Sequence, residues 1–351
     1  MRKIIFFDAA YPPPIVGGKE KQAHELAKNL KNIDIKVIAL TSQKIKQFPF
    51  RNYEGIKRLG IPYLLIPLVL IILRFFSNTI HIHTPSRVGL FVLIFSKLLG
   101  FKTLFKIPNM DTVGDNKFTD KLILLFSNYI IALEENSYST LMRTKKSLKL
   151  DNKDQIKLIP NLVAKQKYAF KTNNEIFNIA FCGRLVDQKN PFDFLKVIYK
   201  LKYDNGLNIR AHIIGDGYLY HKLIDYVREF KINDCCKFYK MHKNPSEIFS
   251  RCQLLVSTSK KEGMSNVLLE SMAIGIPVIT SKVGAAAYLL GAYKDKFTFL
   301  PGDIESIVER IILLKKDQKL QKQYSNFLYR QVNEINSPNR IIPIYGKLYM
   351  N

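Results

Sequence analysis

Short apolar stretches alternate with longer stretches of helical periodicity along most of this chain. The stretches of the first half that favour a strand are 2–10, 34–40, 79–83, 102–107 and 128–133. Residues 19–30, which follow the first of them, repeat apolar side chains at three- and four-residue spacing, the pattern of a helix with one buried face. Alternation of this kind is typical of βαβ units and predicts a mostly parallel sheet covered by helices.

The alternation stops at the polar stretch 161–175, which has no periodicity, and a second series of the same kind follows. Its predicted strands are 177–183, 209–217, 237–241, 253–258 and 277–280. We therefore predict two Rossmann-like α/β domains, 1–162 and 175–335, that face each other across a cleft. Because ligands of open α/β sheets bind outside the carboxyl ends of the strands, such a cleft would hold a large polar ligand.

The composition fits two domains and indicates an anionic partner. The 351 residues suffice for two domains of about 100–200 residues each. The chain carries 54 basic against 29 acidic residues, a net charge of +25, and both halves are basic. This charge suits nucleic acid, anionic lipid or a phosphorylated small molecule, and a solubilising bias towards lysine is the alternative.

The cysteines and the first residues indicate a cytoplasmic protein. Cys182, Cys235, Cys236 and Cys252 form no CxxC pair, so we expect reduced thiols and neither disulfides nor a zinc site. Residues 1–14 have too short an apolar part for a secretory signal and are better explained as a first strand.

One apolar run raises the question of a membrane. Residues 61–73 are apolar but contain two prolines and are shorter than the roughly 20 residues that a spanning helix needs. The preceding stretch 44–58 is basic and aromatic, so the region 44–76 suits docking on anionic lipid. The alternative is a buried helix that follows a solvated loop.

The stretch GRLVDQKN, 183–190, follows the first strand of the second domain. Arg184 offers a planar set of donors, and Lys189 adds a point charge. We expect both beside free backbone N–H groups of a helix that Asn190 caps, a combination that suits a diphosphate. The alternative is an arginine and a lysine in an ordinary surface loop.

The stretch EGMSNVLLE, 262–270, places two carboxylates at a strand–helix junction. Ser265 or Asn266 can cap the helix, and Gly263 lets the backbone approach a ligand. Glu262 can accept hydrogen bonds from ligand hydroxyls, and Glu270 can reach two adjacent hydroxyls, as on a ribose. The alternative is that Glu262 complements the helix dipole and that Glu270 is solvated.

These motifs together resemble the retaining GT-B glycosyltransferases of family GT4. The resemblance rests on E-x7-E in 262–270, GRLVDQKN, IPN at 159–161, IIGDG at 213–217 and GGKEKQAHELAKNL at 17–30. It covers nearly the whole chain and implies the GT-B fold, with two Rossmann-like domains facing across a cleft. The tail 336–351 is then expected to pack back on the first domain.

The resemblance also implies roles for individual residues. Arg184 and Lys189 would hold the donor diphosphate, Glu270 the ribose, and Glu262 the transferred sugar. The implied donor-binding set is Gly17, Gly18, Arg184, Lys189, Gly215, Met241, His242, Glu262, Gly263, Met264, Ser265, Asn266 and Glu270. The implied catalytic set is Glu262, Arg184, Lys189 and His83. Cationic side chains would replace a metal, so no metal or other cofactor is expected.

Two departures from the family pattern affect these roles. The stretch 103–111 has no histidine where the family often has one, and His83, at the end of an earlier strand, is the candidate in its place. A lone histidine is otherwise a structural residue. The stretch 280–290 keeps only Gly284 of the family's GG-x-x-E, so the sugar of the donor stays open.

The function predicted in this way is transfer of a sugar, with retention, from a nucleotide sugar to a saccharide or polyprenyl-linked acceptor. The expected setting is bacterial surface polysaccharide synthesis by a cytoplasmic enzyme, peripheral on the inner face of the membrane, with no nucleic acid partner. A nucleotide-sugar 2-epimerase of the same architecture and a basic nucleic-acid-binding protein are the alternatives. An NAD enzyme lacks support because no G-x-G-x-x-G follows the first strand.

Overall fold

The structure is a computed structural model that describes residues 2–8, 17–42, 50–83, 85–108, 117–150, 154–172, 175–240 and 245–350. The chain divides into two compact units. The first unit comprises Met1–Leu162 together with Pro338–Asn351, and the second comprises Val163–Ser337.

The first unit is built on an eight-stranded sheet with the order β3-β4-β2-β1-β5-β6-β7-β8. Its strands are β1 Arg2–Phe7, β2 Ile35–Thr41, β3 Phe50–Tyr53, β4 Ile56–Gly60, β5 Thr79–Ile82, β6 Lys102–Ile107, β7 Tyr129–Ala132 and β8 Ile156–Leu158. Its first helices are α1 Gly18–Leu30, α2 Ile66–Arg74, α3 Arg87–Leu98, α4 Lys117–Phe126 and α5 Glu135–Ser147. The strand pairs are parallel except β3 and β4, which form an antiparallel hairpin at the edge.

This hairpin corrects, for residues 50–60, the alternative of a solvated loop before the helix, and residues 44–49 of that stretch lie outside the described residues. Residues 50–60 turn at Glu54 and Gly55, both with positive φ, and continue the sheet beyond β2. The short, charged strands lack the apolar alternation from which a strand is predicted, because the hairpin forms an edge of the sheet.

Apolar cores cover both faces of this sheet. Ile4 and Phe6 of β1 face one core, and Ile5 and Phe7 face the other, so these four residues form an unbroken apolar run. The core around Ile4 and Phe6 also contains residues of α1, and the opposite core contains residues of α2, α3, α4 and α5. The helices therefore form a layer on each face, as the βαβ rhythm predicts.

The second unit is built on a six-stranded parallel sheet with the order β11-β10-β9-β12-β13-β14. Its strands are β9 Phe177–Cys182, β10 Ile209–Ile214, β11 Cys236–Tyr239, β12 Leu254–Ser257, β13 Val278–Ser281 and β14 Thr298–Phe299. Its helices are α6 Pro191–Tyr203, α7 Tyr220–Glu229, α8 Ser246–Phe249, α9 Asn266–Ala273, α10 Ala286–Leu290, α11 Lys294–Phe297, α12 Ile304–Lys316 and α13 Gln318–Ile335. The strand order reverses between β9 and β12, which makes their carboxyl ends the switch point of the sheet.

The last helix, α14 Pro338–Met350, returns to the first unit and packs beside α1. The Tyr349 hydroxyl lies 2.7 Å from His81 Nδ1, and Arg2 donates to the carbonyl of Met350 at 2.9 Å. Tyr345 and Tyr349 are buried in the core that contains Phe6. The end of the chain is therefore part of the first unit's core.

Candidate functional site

Two loops of the second unit lie side by side at the switch point of its sheet. The loop 183–190 follows β9, and the loop 258–265 follows β12, the neighbouring strand. Lys260 N–H donates to the carbonyl of Gln188 at 2.8 Å, and the Gln188 side chain donates to the carbonyl of Lys261 at 3.0 Å. The Thr258 hydroxyl donates to the carbonyl of Asn190 at 2.8 Å. These hydrogen bonds fix the two loops against each other.

An ion pair joins the same two loops. Lys189 Nζ contacts Glu262 Oε1, and the two side chains are only 16% and 14% exposed. The Ser259 hydroxyl donates to the same carboxylate oxygen at 2.8 Å. A half-buried pair of this kind keeps both charges in place at the carboxyl edge of the sheet, where ligands of such sheets bind.

Arg184 begins the loop after β9 and leaves most of its donors exposed. Its guanidinium reaches the side-chain oxygen of Gln188 at 3.3 Å, and the residue is otherwise open to solvent. With Lys189 in the same loop, it gives this edge two cationic side chains. A planar guanidinium beside an ammonium group is suited to a diphosphate.

Two glycines let the neighbouring loops approach closely. A Cβ atom at Gly215, after β10, would lie 1.9 Å from the carbonyl oxygen of Gly183. A Cβ atom at Gly284, after β13, would lie 2.1 Å from the carbonyl oxygen of Gly263, and Gly284 has a φ of +53°. Ala285 N–H donates to that same carbonyl at 2.8 Å. The backbone at four strand ends is therefore packed into one rim, which leaves the charged side chains to form its surface.

The helix α9 begins at this rim, and of its two predicted caps Ser265 occupies the N-cap position. Ser265 takes the N-cap position with an extended backbone, yet its side chain makes no capping hydrogen bond, and Asn266 is already the first helical residue. Ser265 is buried and the Met264 side chain is buried against Asn336. Glu270 lies on the second turn of α9 and is half-buried.

The start of α6 also differs from the prediction of free N–H groups beside Lys189. The N–H groups of Lys189 and Asn190 both donate to the carbonyl of Val186, and Pro191 has none. Asn190 takes the N-cap position in the left-handed region, and its side chain donates to Asp193 instead of capping the backbone. The tight turn 186–190 therefore engages the N–H groups of Lys189 and Asn190, which are not free to bind an anion.

The remaining predicted residues lie in the first unit or outside the described residues. Gly17 caps α1 from an extended backbone, and a Cβ atom there would lie 2.8 Å from the Glu20 carboxylate. Gly18 is the first residue of α1. Met241 and His242 fall within 241–244, outside the residues that the structure describes.

His83 follows β5 and is buried, not open to a ligand. Its ring centroid lies 3.9 Å from that of His81 and 4.6 Å from that of Phe6. Burial lowers the pKa of both histidines well below the usual value, and the neighbouring Lys106 lowers them further. The pair is therefore neutral at pH 7, and His83 is placed to pack against the core of the first unit.

Sequence reasoning missed the polar residues that support the charged ones. Ser259 holds Glu262, Gln188 joins the two loops, and the Ser281 hydroxyl donates to the carbonyl of Ser259 at 2.5 Å. The only sequence signal for the two serines is that each lies at or just after the end of a strand. Ser259 lies two residues after β12, and Ser281 is the last residue of β13. Polar side chains at neighbouring strand ends meet at one edge.

The described residues bear on metal binding and on membrane spanning. In the described part of the chain, no three or more His, Cys, Asp and Glu side chains are grouped so that they could hold a metal ion. Over the same residues, every helix is too short or too polar to cross a bilayer.

The fold of the whole chain is shared with solved glycosyltransferases of the GT-B class. HepE of Anabaena, solved in complex with UDP and glucose, is similar with a TM-score of 0.80 at 16% identity, over 99% of each chain. At this identity the likeness establishes the fold alone. The predicted pair of Rossmann-like α/β domains is thereby confirmed.

The second unit is also similar in sequence to one enzyme family. The model of the family described as glycosyl transferases group 1 matches residues 163–331, which is most of the second unit and just under half of the chain. The matched region contains the loops at the switch point.

Curated relatives match over a limited part of their length. N-acetyl-alpha-D-glucosaminyl L-malate synthase of Bacillus anthracis is 26% identical over 137 residues, 39% of this chain and 36% of that protein. N-acetylgalactosamine-N,N'-diacetylbacillosaminyl-diphospho-undecaprenol 4-alpha-N-acetylgalactosaminyltransferase of Campylobacter jejuni is 29% identical over 147 residues, 41% of this chain and 39% of that protein. The chain thus spans less than half the length of either relative.

Proposed function

We propose that this chain is a glycosyltransferase of family GT4 that moves a hexose from a nucleotide sugar to a saccharide acceptor with retention of configuration. The observation that carries the proposal is the pairing of Lys189 with Glu262 beside Arg184, at the switch point of the second unit's sheet. This places two cations and a carboxylate at one edge. A nucleotide sugar offers a diphosphate and sugar hydroxyls to match them.

The proposed chemistry divides the charges between the two halves of the donor. Arg184 and Lys189 bind the diphosphate and stabilise the charge that develops on it as the glycosidic bond breaks. Glu262 accepts hydrogen bonds from hydroxyls of the transferred sugar, and Glu270 accepts from the ribose. The departing diphosphate takes the acceptor's proton on the same face, which gives retention without a metal ion.

The proposed acceptor is a lipid-linked saccharide in bacterial surface polysaccharide synthesis. Support comes from the Campylobacter jejuni relative, whose name states a diphospho-undecaprenol acceptor. The implied contacts of Gly17 and Gly18 with the donor or acceptor are part of this proposal. A cytoplasmic protein held at the inner face of the membrane would meet such an acceptor.

A transfer assay tests this proposal. The protein is incubated with UDP-, GDP-, dTDP- and ADP-sugars and with short-chain polyprenyl-diphosphate-linked saccharides, with and without EDTA. We expect one nucleotide class to support transfer, NMR of the product to show the anomeric configuration of the donor, and EDTA to leave the rate unchanged. Absence of transfer and of donor hydrolysis with every nucleotide sugar would contradict the proposal.

A further inference from the structure

The outer surface of the first unit carries an unusual stripe of exposed apolar side chains along α2 and the turn before it. Leu64 and Phe75 are 93% and 86% exposed, and Leu68, Ile71 and Ile72 between them are exposed as well. Their spacing of three and four residues places them on one side of the helix. The opposite side of α2 is already buried in the core through Ile66, Leu70 and Leu73. A helix of a water-exposed surface is normally polar on that outer side.

The stripe continues across the two neighbouring helices. On α3, Phe91 and Leu98 are exposed at a spacing of seven residues, and Phe91 stacks on Phe95 with centroids 6.0 Å apart. On α4, Phe118 and Leu125 are exposed at the same spacing. Because α2 packs on α3 and α3 packs on α4, the three outer stripes form one surface, which we call the α2–α4 face. Apolar surface of this extent marks an interaction site.

The charges of the α2–α4 face have a single sign. Arg74, Arg87 and Lys121 are exposed on its three helices. In the described parts of 61–126 the only acidic residue is Asp120, which is 1% exposed. The face therefore offers cations and apolar side chains together. It suits an anionic partner, whereas a second copy of this face would bring like charges together.

Further cations lie where α2 ends. Arg2, Lys3 and Arg74 line a hollow of about 370 Å³ with Phe75 and Phe76. Lys3 Nζ lies 5.5 Å from the centroid of the Phe76 ring. An anionic headgroup fits beside these cations while the two phenylalanines enter the acyl region, which is the arrangement of interfacial anchors.

We propose that the α2–α4 face docks on an anionic lipid bilayer. The α2 helix has only nine residues, so it lies in the interface and does not cross it. The stripe starts at Tyr63–Leu65, just beyond the carboxyl end of β4, so it reaches the edge of the sheet where ligands bind. That position would bring a lipid-linked acceptor to the protein. This use of the face rests on the proposed function, whereas the docking itself is independent of that function.

Tryptophan fluorescence tests the docking directly, because the chain contains no tryptophan. Phe75→Trp introduces one probe on the α2–α4 face, and Leu300→Trp, at an exposed apolar residue of the second unit, is the matched control. With vesicles of phosphatidylglycerol and phosphatidylcholine we expect a blue shift of the Phe75→Trp emission and none of the control. Equal responses of the two variants, or no response of either, would overturn the proposal.

Sedimentation with the same vesicles tests the chemistry of the face. We expect Leu68→Ser with Ile72→Ser, and separately Arg87→Glu with Lys121→Glu, to weaken binding by about tenfold or more. Leu300→Ser with Leu313→Ser in the second unit is the control and should bind like the unmodified protein. Unchanged vesicle binding by both test variants would refute the assignment of the face to a lipid bilayer. So would a wild-type protein that is a dimer, does not bind vesicles, and becomes a monomer in the Leu68→Ser, Ile72→Ser variant.

Nucleotide binding by the same variants separates the two proposals. All of them should keep the donor-induced rise in melting temperature, because their changes lie outside the second unit's rim. Vesicle binding without any nucleotide response would leave the docking intact and remove the proposed function. A nucleotide response without vesicle binding would leave the proposed function intact and refute the docking.

Discussion

At the scale of single residues, the pair of Lys189 and Glu262 is the central feature of the candidate site. It joins residues 73 positions apart in the chain, and Ser259 fixes its carboxylate. Without a donor, the Glu262 carboxylate is paired with Lys189, the cation that we propose for the diphosphate. In the proposed mechanism Glu262 would therefore oppose binding of the diphosphate through its charge, while it would offer hydrogen-bond acceptors to the sugar.

Glu262→Gln should separate these two effects. Removing the carboxylate charge beside Lys189 should tighten binding of the nucleoside diphosphate by about fivefold, since about 1 kcal/mol of repulsion is removed. Turnover should fall at least about tenfold because the neutral amide stabilises the transition state at the sugar less well than the carboxylate. Calorimetry with the diphosphate and initial rates with the sugar donor check the two effects. The exposed Glu229→Gln is the control, and an unchanged affinity together with an unchanged rate would contradict the role of Glu262.

The residue types at the site could be predicted from the sequence, but their pairing could not. Arg184, Lys189 and Glu262 each follow an apolar strand, which places them at the same edge of a parallel sheet. The contact of Lys189 with Glu262 depends on β9 and β12 being neighbours, a fact of strand order that local patterns do not contain. The contact of Ser259 with Glu262 could not be predicted from the sequence either, because it also depends on how the strand ends are arranged in space.

At the scale of elements, β5 shows how a strand can carry ionisable groups in a core. His81 and His83 lie two residues apart, so both face the side of the sheet that α14 covers, where Tyr349 contacts His81. On that side Lys106 of β6 is also buried, and burial lowers its pKa to about 8. The neutral form of each histidine is thereby favoured in the folded protein.

This arrangement predicts that the first unit loses stability in mild acid. The folded pKa of His83 lies below its unfolded value of about 6.5, so the unfolded state binds more protons once the pH falls below that value. The free energy of unfolding should therefore fall between about pH 7 and pH 5. His83→Phe should flatten this dependence in urea titrations, whereas the exposed His221→Phe should not. Equal slopes in the wild type and in His83→Phe would show that His83 does not titrate on unfolding.

Elements with strong periodicity were predictable, and elements whose role is set by neighbours were not. The apolar strands β1, β9 and β12 follow from their composition. The β3–β4 hairpin did not, because its strands are only four and five residues long and β4 buries Ile56 and Arg58, a pair that does not give an apolar alternation. Asn190 occupies the predicted N-cap position of α6, but the turn before it places this residue in the left-handed region, and its side chain donates to Asp193 instead of capping the backbone.

At the scale of the whole molecule, the two units share an architecture but present different surfaces. The first unit carries the apolar, basic α2–α4 face, and the second carries the charged rim at its switch point. Part of the net charge of +25 therefore lies on two surfaces, for which we propose an anionic lipid and a diphosphate as partners. The pair of Rossmann-like domains could be predicted from the alternation of strands and helices alone. For the apolar run of α2 the sequence left lipid docking and burial open, since such a run looks the same whether it is buried on one side or on both.

The measurement that tests the account most directly is a thermal-shift titration of the full chain with UDP-, GDP-, dTDP- and ADP-sugars. NAD and single-stranded DNA serve as comparison ligands. We expect one nucleotide-sugar class to raise the melting temperature, Arg184→Ala to remove most of this rise, and Arg228→Ala, which removes an exposed cation of α7, to preserve it. No rise with any nucleotide sugar, or a rise that Arg184→Ala leaves intact, would contradict the placement of the donor at the second unit's rim.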